Sequence, residues 1–228
     1  MRSVYIHIPF CKSICSYCDF CKMIYSESWA DTYLDELENE ISKYYEGDEV
    51  NTIYIGGGTP SSLNSKELIK LFDIIKSRFN LIKLKEFTFE MNVNDITNEL
   101  CNILKSNGIN RVSVGVESFD EFNLKFLNRK NNKKDIINNI NILKKYGFNI
   151  NVDLIYALPS ESFSTFKNDL IQIIKLDVNH ISTYSLIIED NTVLKHNNIT
   201  NIDEETDYKM YDYICKKLKA KGYKIGRA

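Results

Sequence analysis

No apolar run in this sequence approaches the roughly 18 residues that a membrane-crossing helix needs, and the N-terminal stretch is broken by His7, Pro9 and Cys11 before a secretory apolar region could form. A cytosolic protein without a membrane span is expected. Proline is scarce, with three in 228 residues, so no proline-rich linker divides the chain, and no domain-scale repeat is present. An excess of either charge is missing too: 29 Lys and Arg against 31 Asp and Glu leave a net charge of −2, too little for a basic field that would hold a phosphate backbone. Nucleic acid is therefore not an expected partner. Histidine is limited to three residues; His7 lies between apolar neighbours and reads as structural, and His180 and His196 sit in no motif.

What remains is an ordinary globular composition, 43% hydrophobic and 26% charged, with enough apolar residues to build a core without disulfides. Short β-branched runs near 3–8, 51–55, 86–91, 111–114, 150–156 and 180–186 alternate with amphipathic stretches. After Ser28, the residues Trp29, Tyr33, Leu34, Leu37, Ile41 and Tyr44 repeat at the spacing of one helix face. Asn64 followed by Glu67 reads as a capped helix start, and Ile136, Ile137 and Ile140 give the biased segment 131–141 an apolar helix face. Six strands each followed by a helix predict an α/β fold, an incomplete (β/α)6 barrel of parallel strands with its function at the strand C-terminal ends.

The six cysteines are unevenly placed. Cys101 and Cys215 lie beside the apolar stripes of predicted helices and read as core. Cys11, Cys15 and Cys18 crowd the loop after the first strand in CKSICSYC, where thiolates suit iron–sulfur clusters or zinc. A structural zinc site would need Cys21 as a fourth ligand. Cys15 and Cys18 could alternatively form a redox pair. In IYIGGGTPSSL, glycines at the end of the second strand suit either a tight turn or a close approach to a ligand. Glu90 ends the third strand, and Asp153 interrupts an apolar strand, a costly place for an unpaired carboxylate.

The stretch YIHIPFCKSICSYCDF, Tyr5 to Phe20, resembles the signature of radical S-adenosylmethionine (SAM) proteins, in the branch of oxygen-independent coproporphyrinogen III oxidases and HemW haem chaperones. The resemblance implies that Cys11, Cys15 and Cys18 hold three irons of a 4Fe-4S cluster whose fourth iron is left open to SAM. It implies further SAM contacts: Gly57, Gly58 and Thr59 of GGGTP near the ammonium, Glu90 in the cofactor region, Asp153 on the ribose hydroxyls and Arg129 near the carboxylate. Tyr5 matches a family tyrosine close to the cluster. Glu117 stands where the family has Gln, and Met91 and Val93 depart from the family's EANP.

Phe20, at a position where the oxidases carry a further cysteine, and the short segment before the first strand favour the chaperone branch over oxidative decarboxylation of coproporphyrinogen III. The resemblance runs from Tyr5 to the KGYKI segment, and the family continues for another domain's length. The expectation is one radical SAM core domain over residues 1–228, with the C-terminal accessory domain absent. The implied cofactors are the cluster and SAM, and the implied partners are haem or a porphyrin and a haem-accepting protein. Haem binding by these residues alone should be weak or absent. A zinc-binding structural protein is the remaining alternative, and it leaves the glycine loop and Asp153 unexplained.

Overall fold

A computed structural model describes residues 2–159 and 161–226. Numbered in chain order, six parallel strands form one sheet: β1 (Arg2–Ile8), β4 (Val50–Gly57), β5 (Glu86–Asn92), β6 (Arg111–Glu117), β7 (Asn149–Tyr156) and β8 (His180–Ser185). The two-residue strands β2 (Phe10–Cys11) and β3 (Met23–Ile24) pair separately and close the loop that carries the cysteines. The sheet runs β1-β4-β5-β6-β7-β8, and among the described residues β8 does not return to pair with β1, so the barrel is incomplete, as expected.

Parallel neighbours need long crossovers, and in the six-stranded sheet each is helical. The crossovers are α1 (Glu27–Tyr44), α2 (Ser65–Arg78), α3 (Asn98–Ser106), the pair α4 (Glu121–Phe126) and α5 (Lys133–Lys145), and α6 (Phe163–Lys175). After β8 come the short α7 (Val193–His196) and α8 (Glu204–Ala220). None is long and apolar enough to cross a membrane.

Parallel strands covered on both faces read as continuous apolar runs; these instead alternate. Ile53 and Ile55, Phe87 and Phe89, Val112 and Val114, and Ile150 and Val152 are buried in the main core. Between them stand Tyr54, Thr88, Glu90, Ser113, Gly115, Asn151 and Asp153, so the second face of the sheet is polar and opens into a cleft.

Most local expectations hold. Asn64 caps α2 by accepting from the Lys66 and Glu67 amides, and the Glu67 carboxylate accepts the Asn64 amide, a complete capping box. Two helix faces are corrected. On α1 the buried residues are Ala30, Leu34, Leu37 and Ile41, whereas Trp29 is 62% and Tyr44 68% exposed at its ends. On α5, Ile136 and Ile140 are buried, while Ile137 turns outward. Cys101 is buried as expected, but Cys215 on α8 is only half-buried.

Candidate functional site

The loop from Pro9 to Ile24 is tied down from several sides. Ser16 donates its amide to the Leu127 carbonyl at 3.2 Å and its hydroxyl to the Phe126 carbonyl at 2.6 Å, which docks the loop onto the last turn of α4. Leu194 at the start of α7 donates to the Ser16 carbonyl at 3.1 Å. Lys12 meets Asp95 at 2.7 Å. The Cys11, Cys15 and Cys18 side chains line one wall of the cleft, whereas Cys21 is exposed and outside that lining. Burial pushes the Cys11 and Cys18 thiols up, so loading a metal centre there releases protons.

The glycine segment is welded to this loop. Gly58 donates to the Ile8 carbonyl and Thr59 to the Phe10 carbonyl, each at 2.8 Å. A Cβ on Gly58 would lie 2.8 Å from the Pro9 carbonyl, so only glycine allows the two backbones to meet. Gly57, Gly58 and Thr59 border the cleft, and the Thr59 Oγ1 lies 3.6 Å from the Cys11 Sγ.

The C-terminal halves of β5, β6 and β7 supply three carboxylates to the same cleft: Glu90, Glu117 and Asp153. The Glu90 carboxylate accepts from the Tyr54 hydroxyl at 2.5 Å and the Gly57 amide at 3.1 Å. Burial raises its pKa and these donors oppose the rise. Asp153 accepts from Asn151 Nδ2 at 2.9 Å and Ser113 Oγ at 3.4 Å, the partners that an Asp inside an apolar strand requires. Burial raises Asp153 as well.

Glu117 ends β6 in the left-handed region, φ +68°, where the pairing with β7 is irregular. Its buried carboxyl is pushed up to about 7 by desolvation, against the pull of Arg129. Arg129 is not a surface helix charge. It follows Asn128, a residue type that tolerates the left-handed conformation it adopts here at φ +56°. That turn sends the guanidinium inward to Glu117 at 3.5 Å, Asn92 Oδ1 at 2.8 Å, Cys15 Sγ at 3.5 Å and the Gly115 carbonyl. A Cβ on Gly115 would lie 2.6 Å from the guanidinium and 2.7 Å from the Glu117 carboxylate, so the pair occupies space that only glycine leaves.

Tyr5 departs from its expected place. It is 58% exposed and outside the cleft lining, stacked on Tyr54 at 6.0 Å with its hydroxyl 3.3 Å from the His7 Nδ1. His7 is half-buried and holds the Cys21 carbonyl through Nε2 at 2.9 Å.

Three contributors escaped the sequence reading: Asn92, which contacts both Arg129 and Thr59; Tyr17, whose hydroxyl donates to Glu117 at 3.1 Å; and the Ser113–Asn151 pair under Asp153. An inward-pointing polar residue next to a strand-end carboxylate was the available signal for Asn92 and Ser113.

The cleft measures about 430 Å³, within the range of small-molecule sites. Its donors fit an iron–sulfur cluster with an adjoining polar ligand: soft thiols from one loop, acidic acceptors and a guanidinium facing them. Among the described residues no three His, Cys, Asp or Glu side chains converge closely enough for a single metal ion.

Comparison with known proteins agrees. Over 227 aligned residues the chain is 38% identical to the haem chaperone HemW of Lactococcus lactis, covering 97% of this chain and 60% of that protein. Against the oxygen-independent coproporphyrinogen III oxidase of Escherichia coli it is 31% identical over 188 residues, 80% of this chain and 41% of the oxidase. The chain thus spans about 60% of the length of the chaperones it matches. The solved structure of coproporphyrinogen III oxidase from Escherichia coli, described as a radical SAM enzyme, superposes with a TM-score of 0.89 at 27% identity, covering 97% of this chain and 53% of that one. Streptococcus suis SuiB, at 14% identity and TM-score 0.66, shares the fold. With residues 5–172 matched by the description of that family, the chain belongs to the radical SAM superfamily.

Proposed function

We propose that the chain is the cofactor core of a HemW-type haem chaperone, holding a 4Fe-4S cluster on Cys11, Cys15 and Cys18 and SAM in the adjoining cleft. The observation that carries this reading is the meeting of these three thiols with Arg129, Glu117 and Asp153 in one cleft, from segments about 100 residues or more apart in sequence. Superfamily membership brings the cluster and SAM with it, and the cluster supplies one-electron chemistry to the bound SAM.

Within the cleft each side chain has a task. Three cysteines would leave one iron open to SAM; Cys21 is exposed and outside the cleft lining. Asp153 and Glu117 present acceptors for the ribose diol. With its pKa near 7, Glu117 carries a proton in part of the molecules at neutral pH, and that proton restores the donor a Gln would offer. Arg129 stays charged and offers its remaining face to a carboxylate. Glu90 holds the glycine loop through the Gly57 amide, and that loop would meet the SAM ammonium. Haem or a porphyrin is the proposed cargo, with a haem-accepting protein as its destination and the cytosol as the compartment.

Oxidative decarboxylation of coproporphyrinogen III is the second reading, favoured by the TM-score of 0.89 to the oxidase. Phe20 supports the chaperone instead. Anaerobic reconstitution with iron and sulfide, then incubation with SAM, a reductant and either haem or coproporphyrinogen III, separates the two. Vinyl product from coproporphyrinogen would overturn the chaperone reading, whereas a chain that holds the cluster and SAM and yields no such product supports it.

A further inference from the structure

Between the Sγ of Cys11 and the Sγ of Cys15 runs an unbroken line of three polar side chains. Thr59 Oγ1 lies 3.6 Å from Cys11 Sγ, Asn92 Nδ2 donates to Thr59 Oγ1 at 3.3 Å, and Arg129 Nη1 donates both to Asn92 Oδ1 at 2.8 Å and to Cys15 Sγ at 3.5 Å. The direction of these bonds is fixed by chemistry. A guanidinium only donates, so the Asn92 carbonyl must face it and the Asn92 amide must face Thr59. Thr59 then accepts from Asn92 and has its own hydroxyl hydrogen free for Cys11. Each thiolate thus receives a donor, and the positive charge of Arg129 stands at one end of the line.

From this geometry we infer that Asn92 is a positioning residue that sets the reduction potential of the cluster by orienting Thr59 toward Cys11 and Arg129 toward Cys15. The inference rests on the proposed assignment of Cys11 and Cys15 as cluster ligands. Asn92 is itself held in place: its backbone amide donates to Ser61 Oγ at 3.2 Å, Ser61 donates to Asp95 at 2.7 Å, and Asp95 pairs with Lys12, next to Cys11. Hydrogen bonds to cluster sulfurs raise the potential by drawing charge from the metal centre. Cutting the line should therefore make the cluster harder to reduce.

The test is a redox titration of the reconstituted full chain, followed by absorption and electron paramagnetic resonance, with iron and sulfide measured for each variant. Thr59→Val, which keeps the shape and removes the hydroxyl, should lower the midpoint potential. Thr59→Ser should leave it at the wild-type value. Asn92→Ala should lower it further, because both thiolates lose their oriented donor, and Thr59→Val should then change little in the Asn92→Ala background. Full cluster content with an unchanged potential in Thr59→Val and Asn92→Ala overturns the inference, as do single effects that add in full. Should Asn92→Ala fail to hold a cluster, the Thr59→Val and Thr59→Ser pair decides alone. A wild-type chain without iron and sulfide after reconstitution overturns the ligand assignment, and with it the inference, and is distinguished by the metal analysis.

Discussion

Two groups of buried acids lie close together in this fold and are stabilised by different means. In the cleft, Glu90, Glu117 and Asp153 receive hydrogen bonds from Tyr54, Tyr17, Asn151 and Ser113, and Arg129 supplies a buried cation. Under α6, Glu161 and Asp169 repel one another. Asn123 and the Ala157 amide donate to Glu161, and Ser118 donates to Asp169, whose pKa the Phe119 backbone amide also holds down. The Lys133 cation acts on Asp169 and opposes the rise of its pKa. Burial pushes Glu161 up to about 8 and Asp169 to about 6. The first group is arranged as acceptors around a space, whereas the second closes a turn at the start of α6.

The comparison breaks most completely at the thiols. Serine at Cys11, Cys15 or Cys18 should abolish the absorption and paramagnetic signal of the reconstituted cluster, while serine at Cys21 should leave both. Loss of the cluster in the Cys21 variant would falsify the three-ligand assignment.

Arg129→Met removes the cation that distinguishes the cleft acids, at a cost of about 3 to 5 kcal/mol for a buried partner left uncompensated. Denaturant unfolding at pH 8 should show this loss, and a smaller one at pH 5, where Glu117 is protonated in the folded chain and no charge is stranded. Equal losses at both pH values would mean that Arg129 acts through packing alone.

Asp153→Ala should weaken SAM binding by about 1.5 to 3 kcal/mol, the worth of a hydrogen bond to a charged group, without loss of the cluster. Calorimetry on the reconstituted variant measures it, and unchanged affinity would make Asp153 a strand-packing residue like its neighbour Asn151.

The smallest effect concerns the second group. Carboxyls whose folded pKa is raised contribute stability that is complete below their ordinary values near 4 and is lost as pH rises through the folded values, here about 6 and about 8. Wild-type stability should fall from pH 5 to pH 9, and Asp169→Asn should flatten that fall by removing one charge and part of the upward push on Glu161. A slope identical to wild type in denaturant titrations would show that this pair does not control it.

Much of this was legible in the sequence because it is periodic or local. Six β-branched runs became the six sheet strands, and the cysteine loop, glycine loop, Glu90 and Asp153 all border the cleft. What stayed hidden depends on single backbone turns and on pairs distant in sequence. The inward swing of Arg129 follows from the left-handed Asn128, and the same residue in a helix would face water. Trp29 and Tyr44 fit the helical period but sit in the first and last turns of α1, where they are exposed. The link from Thr59 through Asn92 to Arg129 joins residues 33 and 37 positions apart, which no spacing within one element reveals.

The docking of the cysteine loop onto α4 also sets a timetable for synthesis. Cys15 and its partner Arg129 are 114 positions apart, and at about 5 to 20 residues per second translation needs on the order of ten seconds to cover that distance. Throughout that interval the thiols are already made but have neither their guanidinium nor their docking surface, so the nascent chain is the form most open to oxidation or to capture of the wrong metal.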